Sequence, residues 1–134
     1  MQTVFADSFY FFALGNRHDP VHGKCIAFNQ KFSGHVVTTG FILTELMDGC
    51  SGTPSRRAAA IQAVDELRGN PDVTIRSCSE LLFQRGLELF ERRLDKEWSL
   101  TDCISFVVMT NEGIDEALTG DHHFEQAGFI ALLR

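Results

Sequence analysis

The chain has 134 residues, 44% apolar, 22% charged and 10% aromatic, with a formal net charge of −6 at pH 7. That balance can bury a core and excludes a disordered tail, and the length predicts a single domain over residues 1–134. No apolar stretch approaches the roughly 20 residues of a membrane span. The first residues lack the basic-then-apolar order of a signal peptide, so a cytoplasmic protein with no membrane attachment is expected.

Gly and Pro punctuate the chain and set its predicted elements. Thr3 to Ala6 is a strand-like apolar run ended by Asp7. A short apolar helix follows from about Ser8 to Leu14, stopped by Gly15-Asn16. Asp19-Pro20 is a helix-start pair, with Asp as N-cap and Pro in the first turn, and predicts a helix to about Phe32. His35 to Thr38 reads as the second strand. Thr39 caps a helix carrying Phe41, Ile42, Leu43, Leu46 and Met47, closed by Gly49 and Gly52. Thr53-Pro54 opens another helix, running to Arg68. Val73 to Ile75 is a third strand, and Ser77-x-x-Glu80 is a capping box for a long helix. Ser99-x-x-Asp102 repeats that pattern with Asp in place of Glu and opens a helix ended by Asn111-Glu112-Gly113. A strand at Glu116 to Thr119, a turn, and a strand at Phe129 to Leu133 finish the chain. Strands separated by helices imply parallel pairing with right-handed crossovers. The predicted class is α/β: a three-layer α/β/α sandwich around a mostly parallel sheet.

Within that architecture Asp7 and Asp121 follow the ends of two strands, while Glu45 and Asp102 lie in early turns of two helices. If the two strands are parallel neighbours, all four carboxylates reach one crevice beyond the strand ends, where open α/β sheets keep their ligands. Four carboxylates in a small volume require either raised pKa values or a divalent cation. Oxygen-only donors suit a hard ion such as Mg²⁺ or Mn²⁺, and such a site can act on a phosphodiester without a Ser or Cys nucleophile. The plainer reading is that the acids cap helices or complete turns; Asp102, three residues after Ser99, fits that role too. Setting the four aside takes the formal charge from −6 to −2. Basic residues cluster at Arg56-Arg57, at Arg92-Arg93 with Lys96, and at Arg17-His18 with Lys24. Nucleic-acid binding through them would be local and salt-sensitive.

Four pieces of the chain, in order, resemble PIN-domain proteins and in particular the VapC-type toxin ribonucleases. They are Val4-Phe5-Ala6-Asp7-Ser8 with Asp19-Pro20-Val21-His22, Val37-Thr38-Thr39 leading to Thr44-Glu45-Leu46, Asp95 to Phe106, and Ala117 to Phe124 followed by Ala127-Gly128-Phe129. The resemblance spans nearly the whole chain. It implies a PIN-like fold in which Asp7, Glu45, Asp102 and Asp121 hold Mg²⁺ or Mn²⁺. Ser8 or Thr119 would orient a carboxylate or a metal-bound water. The implied reaction is hydrolysis of RNA phosphodiesters, the implied partner a cognate antitoxin, and the implied assembly a homodimer. Where VapC-type chains often carry Asp-Ala, this one has Asp102-Cys103, again a small residue that can be buried.

Other residues have readings of their own. Asp95 matches a family acid near the metal-binding helix, or pairs on the surface with Arg92 or Lys96. His18 and His22 have the spacing of a helical zinc pair, although Asp19-Pro20 places His18 before the helix. His122 and His123 follow Asp121 and could touch substrate phosphate or complete a turn. Cys25, Cys50, Cys78 and Cys103 form no C-x-x-C and read as buried reduced thiols. Trp98 reads as a hydrophobic staple before the Ser99 cap. Phe9 to Phe12 read mostly as core. A non-catalytic PIN-like binding module and a solitary housekeeping RNA-processing nuclease are the alternatives to a toxin. A receiver would need a lysine after Lys96, and a haloacid-dehalogenase-type phosphatase would want Asp where Phe9 stands. No P-loop or G-x-S-x-G elbow occurs.

Overall fold

The structure is a computed structural model that describes residues 1–134. In chain order its elements are β1 (Thr3–Ala6), α1 (Ser8–Leu14), α2 (His22–Lys31), β2 (His35–Thr39), α3 (Gly40–Gly49), α4 (Pro54–Gly69), β3 (Val73–Arg76), α5 (Glu80–Arg92), α6 (Leu100–Glu112), β4 (Glu116–Leu118), α7 (His122–Gln126) and β5 (Ile130–Ala131). The five strands form one sheet in the order β3-β2-β1-β4-β5, and every pairing is parallel. The chain builds outward from β1 to β3, then returns to lay β4 along the free side of β1. Phe5 is in register with Ala117, and Ala6 with Leu118. This reversal is the kind of switch point at which α/β sheets open a ligand crevice.

Strand alternation sorts the core into two layers. Phe5 and Ala117 point to one face, where they pack with Ile42, Trp98, Phe106 and Phe124. Val4, Ala6 and Leu118 point to the other, against Tyr10, Ala13 and Cys25. On the first face Trp98 and Phe124 each meet the Phe106 ring edge to face, at 5.1 and 4.9 Å. That trio makes Phe106 a core anchor whose truncation to Ala would cost about 3–5 kcal/mol. Trp98 also donates from Nε1 to Gln126 Oε1 at 3.0 Å, so the staple residue ties the entry of α6 to α7. Gly86 allows α5 to lie directly on α6: a Cβ there would sit 2.3 Å from Ile104 Cγ1 and 3.2 Å from its backbone N and Cα.

Most predicted elements stand where the sequence puts them, and four details differ. Helix α2 starts at His22 and not at Asp19-Pro20, because Asp19 Oδ1 accepts the Val21 N–H at 2.8 Å and closes a local turn before the helix. Helix α5 is capped by Ser79, which accepts from Leu82 N at 3.1 Å; with Glu80 then at the first helical position, the expected Ser77–Glu80 box does not form. Beyond β4 the expected turn is a one-turn helix, α7, capped by Asp121. The last strand is only two residues long, Ile130 and Ala131. The Ser99–Asp102 box forms with both of its reciprocal bonds, and Gly113 closes α6 in the left-handed region, φ 66°.

Candidate active site

Asp7 stands at the N-cap position of α1 immediately after β1, makes no side-chain capping bond, and is 5% exposed. Asp121 caps α7 just past β4, Asp102 sits at the third position of α6, and Glu45 lies on the second turn of α3. All four line one cleft of about 400 Å³ at the carboxyl ends of β1 and β4, together with Ser8, Phe9, Phe12, Glu97, Ser99 and His123. The convergence expected from sequence is therefore present.

Each acid is fixed by one oxygen. Thr119 Oγ1 donates to Asp7 Oδ2 at 2.8 Å and accepts the Asp121 N–H at 3.1 Å, so one hydroxyl links two of the acids. Ser8 Oγ donates to Glu45 Oε1 in a short bond. Asp102 Oδ2 accepts the Ser99 N–H at 3.1 Å, and Asp121 Oδ1 accepts the His123 N–H at 2.9 Å. The second oxygen of each acid takes no side-chain or capping bond, and no fully buried side-chain oxygen in the molecule lacks a partner. Those second oxygens therefore reach the open cleft. Capping and ligand-holding are thus compatible in Asp102 and Asp121, because each uses a different oxygen for the cap.

The electrostatics match the crowding. Burial pushes the Asp7 carboxyl up to about 7; the Thr119 bond opposes it, and the charges of Asp102 and Glu45 add to it. Burial also raises Asp102, with the Ser99 N–H pulling down, Asp121 pushing up, and His123 pulling down. A hard divalent cation would remove this penalty, and carboxylate oxygens are the donor type it takes. The acids line the cleft without closing on one point, and the three potential ligands whose donor atoms lie within 4.8 Å of one another are Asp121, His122 and His123. Gly120 keeps the wall tight: a Cβ there would lie 2.5 Å from Phe9 Cζ.

Residues with secondary readings are also placed. Arg93 binds Asp95 through two contacts of 2.9 and 3.0 Å, so Asp95 pairs with Arg93 and not with Arg92 or Lys96, and its carboxyl is held down at about 2. His22 Nδ1 lies 2.8 Å from Ala13 O, and His18 is exposed in the turn before α2, so they do not form a zinc pair. Cys25 and Cys103 are buried as expected, but Cys50 is partly exposed and Cys78 exposed; all four are free thiols. Burial pushes the Cys103 thiol up to about 11, which leaves it a poor nucleophile at neutral pH. Glu97 and the bridging position of His123 were not legible from the sequence. His123 depends on α7, whose signal was Asp121 as a cap with Glu125 in the first turn.

No family model matches the chain. Two Mycobacterium tuberculosis proteins, each a 23S rRNA-specific endonuclease VapC20, from strains CDC 1551/Oshkosh and ATCC 25618/H37Rv, are 29% identical to it over 127 residues, 95% of this chain and 95% of theirs. The crystal structure of Mycobacterium tuberculosis VapC20, described as a sarcin-ricin loop cleaving toxin, superposes with a TM-score of 0.83 at 27% identity, over 95% of this chain and 96% of that one. Over nearly its whole length the chain is similar to VapC-type toxins. Two further structures share the fold at low identity. VapBC2 from Rickettsia felis, bound to a DNA fragment from its promoter, has a TM-score of 0.68 at 13% identity and 97% coverage of each chain. FitAcB from Neisseria gonorrhoeae has a TM-score of 0.69 at 12% identity, over 96% of this chain and 94% of that one.

Proposed function

We propose that this chain is a Mg²⁺- or Mn²⁺-dependent endoribonuclease, the toxin of a VapBC-type pair, acting in the cytoplasm as a homodimer. The observation that carries the reading is the set of four carboxylates, each tied by one oxygen and free at the other, lining one cleft. Asp7, Glu45, Asp102 and Asp121 would hold the cation. Bound there, it would polarise a phosphodiester and supply the hydrolytic nucleophile at neutral pH. The chain's own residues do the rest. Thr119 and Ser8 fix the orientation of Asp7 and Glu45, Ser99 fixes Asp102, and buried Asp7 sets the low-dielectric floor against which charge is felt most strongly.

The substrate proposed is a single-stranded stretch within folded RNA. It is suggested by the 23S rRNA specificity of the 29%-identical relatives and by the sarcin-ricin loop cleavage of the crystallised one. A cognate antitoxin is proposed as the partner that covers the cleft. No helix is long and apolar enough to cross a membrane.

Cleavage mapping on total cellular RNA and on intact ribosomes, with Mg²⁺ or Mn²⁺, tests the proposal. Wild type is expected to give discrete cuts that disappear on chelation and in Asp102→Asn. Equal cutting by Asp102→Asn, or no cutting by wild type on either substrate, would refute it. Cation binding without any cleavage would instead favour a PIN-like binding module.

A further inference from the structure

We infer that His123 is a positioning residue: its imidazole clamps Asp102 to Asp121 from behind and thereby sets how tightly the cleft binds a divalent cation. The inference rests on the carboxylate site proposed above and adds a residue to it. His123 Nδ1 lies 3.1 Å from Asp102 Oδ2 and 3.4 Å from Asp121 Oδ1. Those are the same two oxygens that already accept backbone N–H groups, from Ser99 and from His123 itself. The ring therefore stands on the capped side of both acids, and their free oxygens are left to the cleft. Ionised carboxylates only accept, so Nδ1 is the protonated nitrogen in this arrangement.

The contact joins the first turn of α6 to the first turn of α7, residues 21 positions apart, through side chains only 17% and 13% exposed. Without it, the Asp121 carboxylate would be held only by the N–H of its own short helix, with Thr119 holding the Asp121 backbone. Ring partners that orient carboxylate ligands commonly govern cation affinity in this way. His122 is an internal control. Its side chain is 57% exposed, and its Nδ1 is 3.6 Å from Asp121 Oδ1 alone, so it bridges nothing. The ligand atoms of Asp121, His122 and His123 do lie within 4.8 Å of one another, which makes direct ligation through the imidazoles the competing arrangement.

Calorimetric titration of Mn²⁺ into folded wild type, His123→Ala, His123→Asn and His122→Ala separates the possibilities. His123→Ala is expected to weaken binding by about ten- to a hundredfold. His123→Asn should recover most of the loss, because its amide nitrogen takes the place of Nδ1, and His122→Ala should bind as wild type does. Unchanged or tighter binding by His123→Ala, or no recovery in His123→Asn, overturns the inference. So does a directly bonded nitrogen in the spin-echo spectrum of the Mn²⁺ complex. In metal-free protein, long-range ¹H–¹⁵N spectra should show a hydrogen on His123 Nδ1, and its absence overturns the clamp whatever the cation does. Wild type that binds Mn²⁺ but cuts no RNA removes the nuclease reading alone; wild type that binds no Mn²⁺ removes both.

Discussion

The groove between α3, α4 and β3 encloses about 870 Å³, against about 400 Å³ for the acidic cleft. It lies at the sheet edge and is walled mainly by aliphatic side chains, among them Leu43, Met47, Ile61, Val64 and Ile75. The cleft lies over the centre of the sheet, where β4 returns beside β1, and gathers acids from four elements. Volume follows from where helices leave gaps; chemistry follows from where strand ends converge. The smaller concavity is where buried charge is concentrated, and only there does burial lift a carboxylate as far as about 7.

The sharpest way to break the contrast is to neutralise one acid. Asp7→Asn is expected to cut RNA cleavage by about a hundredfold or more, the scale on which metal-site substitutions act, while the protein stays folded. A cleavage assay beside a thermal melt checks both halves. The next effect is pH-dependent. In metal-free protein Asp7 keeps its proton up to about 7 when folded, against an ordinary value of 3.8. The folded state then binds the extra proton, so this group's contribution is fully present below about pH 4 and lost as pH rises towards 7, by on the order of a few kcal/mol. Denaturant titrations from pH 4 to 8 should show that decline in wild type and not in Asp7→Asn.

Third, Mn²⁺ at a hundredfold excess over its dissociation constant should stabilise wild type by about 2.7 kcal/mol. Calorimetric melts with and without the ion read this, and Asp7→Asn should lose most of the gain. Fourth, Gly120→Ala drives a methyl to 2.5 Å from Phe9 Cζ and should cost about 1–3 kcal/mol, with weaker cleavage as the cleft wall shifts. The smallest effect belongs to the larger concavity. Ile61 is 52% exposed on its rim, so Ile61→Ser should change stability by no more than about 0.5 kcal/mol and leave cleavage near wild type. A strong loss there would make the groove part of the working surface.

How much of this was readable beforehand depended on whether the signal was local. Thr39, Thr53 and Ser99 each cap the helix they precede, because a side-chain oxygen two or three residues before an unpaired N–H needs no tertiary information. The four acids could be placed because strand ends and helix starts fix where they project. Asp19 misled because its side chain serves equally well in a turn and at a cap, and the backbone after Pro20 decides between them. Ser79 displaced Ser77 as the α5 cap, and which one acts depends on how far β3 runs. The Arg93–Asp95 pair depends on the irregular chain after α5, and the bridge of His123 on a contact across 21 residues, so neither leaves a trace in periodicity.

The absence of a side chain at Gly86 has a mechanical consequence. Ile104, two residues beyond Asp102, is pressed against that bare stretch of α5, so α6 cannot slide along its neighbour without steric collision. One jaw of the cleft is thus an anvil. The short α7 is fastened to that anvil as well, through His123 to Asp102, Gln126 to Trp98 and Phe124 to Phe106, so the two acids they carry are set in one rigid block.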